Sequence, residues 1–246
     1  MKISLYPTDL VSPKCLVLVG GSGDTSEGFD PLVQAISNKL IDYSICTFNF
    51  STSSKTESIL DVQARELNDV MGQLTTDNRF KQIDIFATSM GAYATIKLLQ
   101  NNHYSKIIRN VILYDPADYY LSAKFADSDD VTWSGPQQYV PKSKVISDEL
   151  KEIEGKCKIT VVHLTLRNYG QDGYIDNSYS DRSIDHSGGY PRLCTDMVRA
   201  MFDKIPLKNK GRYIEESNVP HAILRDGNIK ANIEQVSSTI IDIISK

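Results

Sequence analysis

A dominant charge sign, paired cysteines and long apolar runs are all missing from this 246-residue chain, and each absence removes a class of function. The 27 Lys and Arg stand against 31 Asp and Glu, for a net charge of −4, and the basic residues are spread along the chain. No basic stripe exists to neutralise a phosphate backbone, so nucleic acid is not an expected partner. Cys15, Cys46, Cys157 and Cys194 form no Cys-x-x-Cys pair, which argues against zinc and thioredoxin-type sites and leaves reduced thiols, mostly in strands, as the expectation. No stretch approaches the roughly eighteen apolar residues of a spanning helix, and residues 1–10, "MKISLYPTDL", carry a lysine without the apolar segment of a secretory leader. The chain therefore reads as cytoplasmic, with no membrane partner. Internal repeats and low-complexity segments are missing as well.

What is present is the composition of a packed globular protein, 41% hydrophobic and 24% charged, at a length that suits one domain over 1–246. Apolar runs and helical stripes alternate along it. "CLVLVGGSGD" ends a continuous apolar run in glycines, as a strand buried on both faces does. "FDPLVQAISNKL" follows as a helix, with Asp30 read as its N-cap, Pro31 at the first helical position and Leu32, Ala35, Ile36 and Leu40 on one face. "YSICTFNF" is the next strand. A capping box over 54–57 then opens a long helix that aligns Leu60, Ala64, Leu67, Met71 and Leu74. Strand "QIDIFAT", helix "GAYATIKLLQ", strands "NVILYD" and "KITVVHLTL", helix "YPRLCTDMVRAMF", strand "GRYIEES" and a last helix from Asn228 complete the series. That last helix aligns Ile229, Ile233, Val236, Ile240 and Ile243. The alternation predicts an α/β fold with a mostly parallel sheet and helices on both faces. Residues 117–155 break the rhythm and are expected to form a small cap or lid insert. Tyr119, Tyr120, Trp133 and Tyr139 within them suit either a substrate pocket or packing of the insert on the body.

The chemistry centres on "ATSMG" at the joint of a strand and a helix. A nucleophile elbow needs small residues around its serine, because the backbone folds sharply back there. Ala87 and Gly91 flank Ser89 accordingly. Such a turn lifts the Ser89 hydroxyl above the sheet edge and aims the Met90 N–H at an oxyanion. "GGSGD", by the same logic, offers the Ser22 N–H as a second donor. It lacks the Lys-Ser/Thr ending and the spacing of nucleotide-binding loops, and Asp24 would repel phosphate. Of the four histidines, His221 in "NVPHAI" sits in a loop between the last strand and last helix, where open α/β sheets keep their chemistry. His103 follows a helix end, His163 lies within a strand and His186 in a polar loop. For the acid, Asp172 comes after a Gly-containing turn beyond "KITVVHLTL", with Asp176 next; Asp181 and Asp185 follow, and Asp115 ends another strand.

With these residues in place, the chain resembles the α/β-hydrolase superfamily, and within it small serine esterases of the feruloyl-esterase or acylglycerol-lipase kind. Gly20-Gly21 stands where that family usually has His-Gly, Ala87 where it has Gly, and Gly170-Gln171-Asp172 is a shortened form of its approach to the acid. The resemblance implies hydrolysis of a small-molecule carboxylic ester through an acyl-enzyme, with Ser89, His221 and Asp172 as triad, Asp176 as the alternative acid, Met90 and Ser22 as oxyanion hole, and no cofactor or metal. A hydrolase-like binding protein, or thioesterase, peptidase or acyltransferase chemistry on the same site, is the alternative. Oligomeric state is left open.

Overall fold

A computed structural model describes residues 3–7, 12–21, 24–51, 59–76, 79–116, 150, 153, 155–164, 184–185, 192–193, 195–219, 223–224 and 228–246. Its elements run β1 (Ile3–Tyr6), β2 (Lys14–Val19), α1 (Asp30–Ser37), β3 (Tyr43–Phe48), α2 (Ile59–Thr75), β4 (Gln82–Thr88), α3 (Gly91–Gln100), β5 (Ile108–Tyr114) and β6 (Lys158–Leu164). After them come the short β7 (Ile184–Asp185) and β8 (Arg192–Leu193), α4 (Thr195–Asp203), β9 (Lys210–Glu216) and α5 (Ile229–Ile244).

Seven strands form one sheet in the order β1-β3-β2-β4-β5-β6-β9. Only β1 is antiparallel, paired with β3; every other pair is parallel. Parallel pairing requires cover on both faces, and alternate side chains of each strand supply the two cores. Val17, Ile85, Val111 and Val161 point to the side that holds Leu67 and Met71 of α2, Ala94 of α3 and Val198 of α4. Leu16, Phe86, Ile112 and Val162 point to the other, against Leu32 and Ile36 of α1 and Val236 and Ile240 of α5. Each buried Val, Leu, Ile, Met or Phe side chain among these contributes about 1.5–3 kcal/mol over its exposed state. The common polarity also brings the carboxyl ends of β2, β4, β5, β6 and β9 to one edge, where side chains from distant parts of the chain meet.

The α/β architecture agrees with the expectation from sequence, and several details differ. Asp30 is not the N-cap of α1: a 3-10 turn over Glu27–Phe29 runs straight into the helix, so Phe29 takes the capping position and Asp30 is already helical. The helix read from Tyr190 begins at Thr195, because Arg192–Leu193 pairs with Ile184–Asp185 as an antiparallel ribbon. Ile229 stays 39% exposed at the first turn of α5, off the apolar face. Asn228 does cap that helix, its side chain accepting the Ala231 N–H. The capping box at 54–57 lies outside the described residues, as do 117–149 of the insert; where the chain is described again, Leu150 and Ile153 are buried in the α2–α3 core.

Candidate active site

Between β4 and α3 the chain turns within two residues. Ser89 holds φ 48°, a left-handed value that a non-glycine residue adopts at a cost of order 1–2 kcal/mol. The ladder nevertheless continues through it, its N–H donating to Tyr114 O at 3.2 Å, and its carbonyl accepts the Ala92 N–H at 3.1 Å as α3 begins. Gly91 shows why the turn needs a small residue there: a Cβ would lie 2.6 Å from Gly20 O and 2.8 Å from Val19 O. Those are backbone atoms with no room to retreat, so only glycine lets the start of α3 press on the end of β2. Ala87, two residues before Ser89, is fully buried.

The turn after β2 forms the opposite wall. A Cβ on Gly21 would stand 2.7 Å from Ser89 Cβ and 3.3 Å from Ser89 Oγ, which places this glycine directly against the serine side chain. Asp24 holds the turn in shape: its Oδ2 accepts the Gly21 N–H at 2.7 Å and the Thr88 hydroxyl at 3.3 Å. The Gly21 amide is thereby engaged away from any substrate oxygen. Ser22, the expected second oxyanion donor, lies outside the described residues. Met90 directly follows Ser89 and precedes the first residue of α3, where backbone N–H groups lack intrahelical partners.

On the other side of Ser89 stands Asp115, at the end of β5. It and Ser89 are the two non-glycine residues with positive φ among those described; its value is 43°. The carboxylate is only 5% exposed. Its Oδ1 accepts the Leu164 N–H at 3.2 Å and lies 3.5 Å from Nδ1 of His163, a fully buried side chain on β6. His163 lies within a strand as the sequence places it, and its acidic neighbour was not legible there. His103 sits in the turn that leads into the amino end of β5, at the opposite edge of the sheet. Neither described histidine is therefore placed to serve Ser89. His221, His186, Asp172 and Asp176 lie outside the described residues.

Two other chemistries find no support in the geometry. Cys15, Cys46 and Cys157 are buried free thiols, and burial pushes Cys46 up to about 12 and Cys157 up to about 11, away from the thiolate a nucleophile needs. Among the described residues no group of three His, Cys, Asp or Glu is arranged to hold a metal ion, and no helix is long and apolar enough to cross a membrane.

No protein-family model matches the sequence, and no curated protein matches it. Solved structures do. Est1E from Butyrivibrio proteoclasticus aligns over 99% of this chain and 93% of its own with TM-score 0.65 at 12% identity. An esterase of Pyrococcus furiosus aligns over 95% and 83% with TM-score 0.62 at 16% identity. A monoacylglycerol lipase of Paleococcus ferrophilus aligns over 98% of both chains with TM-score 0.59 at 13% identity. This chain has the α/β-hydrolase fold. Identities this low carry the α/β-hydrolase architecture and no more, so the activity has to be argued from Ser89 and its surroundings.

Proposed function

We propose that the protein is a serine hydrolase that cleaves a carboxylic ester of a small or acyl substrate through an acyl-enzyme. The observation that carries the reading is the left-handed backbone of Ser89 at the β4–α3 joint, with Gly91 beneath it. A strained conformation persists where the surrounding structure enforces it, and a turn of this kind serves to lift a serine hydroxyl over the carboxyl edge of a sheet. Ser89 Oγ attacks the ester carbonyl carbon while His221 takes the hydroxyl proton. The Met90 and Ser22 amides hold the oxygen that becomes negative. Collapse expels the alcohol, protonated by the imidazolium, and leaves Ser89 acylated; water, deprotonated by the same imidazole, then releases the acid. A carboxylate orients the imidazole, and the sequence ranks Asp172 and then Asp176 for that place. No cofactor enters this scheme.

Two of the structural neighbours point to the substrate class: Est1E was solved with ferulic acid bound, and the Paleococcus ferrophilus protein is a monoacylglycerol lipase. In this reading residues 117–155 cap the site, and the buried free thiols suit a cytoplasmic enzyme. A panel of p-nitrophenyl esters of rising acyl length, with a fluorophosphonate probe, tests the proposal. Wild type is expected to turn over an ester and to label at Ser89, and Ser89→Ala to lose both, with kcat down by several orders of magnitude. Turnover surviving Ser89→Ala refutes the nucleophile. A folded protein that neither labels nor turns over is a binding protein on this fold.

A further inference from the structure

We propose that the amino edge of the sheet, at the corner where β6 and β9 begin, docks on a membrane surface rich in anionic lipids. Leu207 enters the headgroup layer and the lysines around it meet the charged headgroups. The proposal is independent of the reaction at Ser89, which belongs to the opposite edge; the 7 residues of β6 put about 20 Å between the two.

The lysines are scattered along the sequence and gather in the fold, because a parallel sheet brings its strand starts to one edge. Lys158 opens β6, with Lys156 two residues before it, and Lys210 opens β9, with Lys208 two residues before that. The two segments are joined. Lys158 Nζ donates to Lys208 O at 3.0 Å, and Asn209 Nδ2 donates to Gly155 O at 3.2 Å and to Cys157 O at 3.0 Å. Lys106 stands on the adjoining turn, where a Cβ on Gly155 would lie 2.7 Å from Ser105 Cβ. Lys106, Lys156, Lys158 and Lys208 are all exposed. Asp203 pairs with Lys210 at 3.1 Å, and among the described residues no carboxylate pairs with the other four.

Leu207 sits in the middle of this charge and is 85% exposed, more than any other large apolar residue described. Its turn is fixed on both sides. Ile205 before it is buried, and so is Asn209 after it, whose N–H donates to Pro206 O at 2.8 Å. The 3-10 turn Leu207–Asn209 thus holds its first side chain outward.

Gathering ammonium groups without a counter-charge costs repulsion, so the arrangement calls for an anion. The common structural reason for such a cluster is to complement the negative end of a helix dipole, yet α4, which ends at this corner, has no basic residue in its last turn. An anionic bilayer answers both the charge and the leucine: ammonium groups meet headgroups while an aliphatic tip passes between them toward the acyl chains. A protein segment would need a concave seat for an apolar side chain of its own, whereas here the apolar side chain protrudes. A single-stranded nucleic acid is gripped by aromatic rings on which bases stack, and the protruding residue is aliphatic.

The test is co-sedimentation of the full chain with vesicles of phosphatidylcholine alone and of phosphatidylcholine with about one third phosphatidylserine, at about 0.1 M and about 1 M salt. Wild type is expected to pellet with the anionic vesicles at the lower salt, to be released at the higher, and to stay in solution with the neutral ones. Lys156→Gln, Lys158→Gln and Lys208→Gln combined should weaken binding on the order of 10²-fold, about fivefold for each charge lost. Leu207→Ser should weaken it about tenfold and keep the salt dependence, because the ammonium groups remain. Urea midpoints of both variants should match wild type, as surface substitutions do. The assignment is overturned if wild type leaves the anionic vesicles unbound at the lower salt, if it binds neutral vesicles equally, or if either variant pellets as wild type does. Retention of wild type on homopolymeric RNA together with indifference to both vesicles would give the lysines to nucleic acid and overturn it equally.

Discussion

At Gly21 the missing side chain matters because Ser89 occupies the space beside it. An added Cβ would fall 2.7 Å from Ser89 Cβ, and that side-chain carbon is the atom that must give way. Gly21→Ala should therefore displace the hydroxyl by a fraction of an ångström while leaving both cores intact. Misplacement on this scale costs on the order of 10²-fold in rate. The expected outcome is a matching fall in fluorophosphonate labelling of Ser89, with a melting temperature within a few degrees of wild type. Gly91→Ala differs in kind. There the obstacles are Gly20 O and Val19 O, backbone atoms of β2 and the turn after it. Overpacking against them costs about 1–3 kcal/mol or more, so urea midpoint and labelling should fall together. The glycine at 91 was legible in the sequence as part of the Ser89 motif. The one at 21 was legible only as a turn former, since its contact with Ser89 joins segments nearly seventy residues apart.

Among the elements, β4 is tied to its neighbours at both ends, and the two ends do different work. At the amino end Asp84, fully buried, accepts hydrogen bonds from Tyr43 Oη at 2.8 Å, Gln82 Nε2 at 2.8 Å, Arg109 Nε at 3.3 Å, and Asn110 N and Nδ2 at 3.0 and 2.9 Å. Arg109 also reaches the carbonyl of Ile244 at the end of α5. One carboxylate thus joins β3, β4, β5 and the last helix, at the edge opposite Ser89. Removing one partner from such a set leaves buried donors unmet. Asp84→Ala should cost about 3 kcal/mol in urea unfolding, with Ser89 labelling unchanged while the protein is folded. Most of these elements could be read from the sequence, because strands buried on both faces appear as continuous apolar runs and α1, α2 and α5 carry stripes at helical spacing. β1 could not, since all four of its residues are half-buried and show no alternation. Which strand ends lie side by side was equally hidden: apolar runs reveal that strands are central, and pairing register alone decides their neighbours.

For the whole molecule, the same burial that makes the cores dry sets how stability responds to pH. Desolvation raises the thiols of Cys46 to about 12 and Cys157 to about 11, from an ordinary value of 9.0. Cys15 also lies well above that value, raised first by burial and then by the neighbouring Cys46. A group whose folded pKa is raised binds its proton more tightly in the native state. Its contribution is complete below the unfolded pKa and is lost as pH climbs toward the folded one. The window runs from pH 9 to about 12 for Cys46 and to about 11 for Cys157, and within its own window each thiol removes about 1.4 kcal/mol per pH unit. Between pH 9 and 11, Cys46 and Cys157 withdraw stability together. Urea midpoints should therefore be flat from pH 7 to 8.5 and fall steeply above 9. Cys46→Ala combined with Cys157→Ala should start lower, through the small cavities left, and decline less steeply. An equal slope in that variant would assign the alkaline loss to groups other than these thiols.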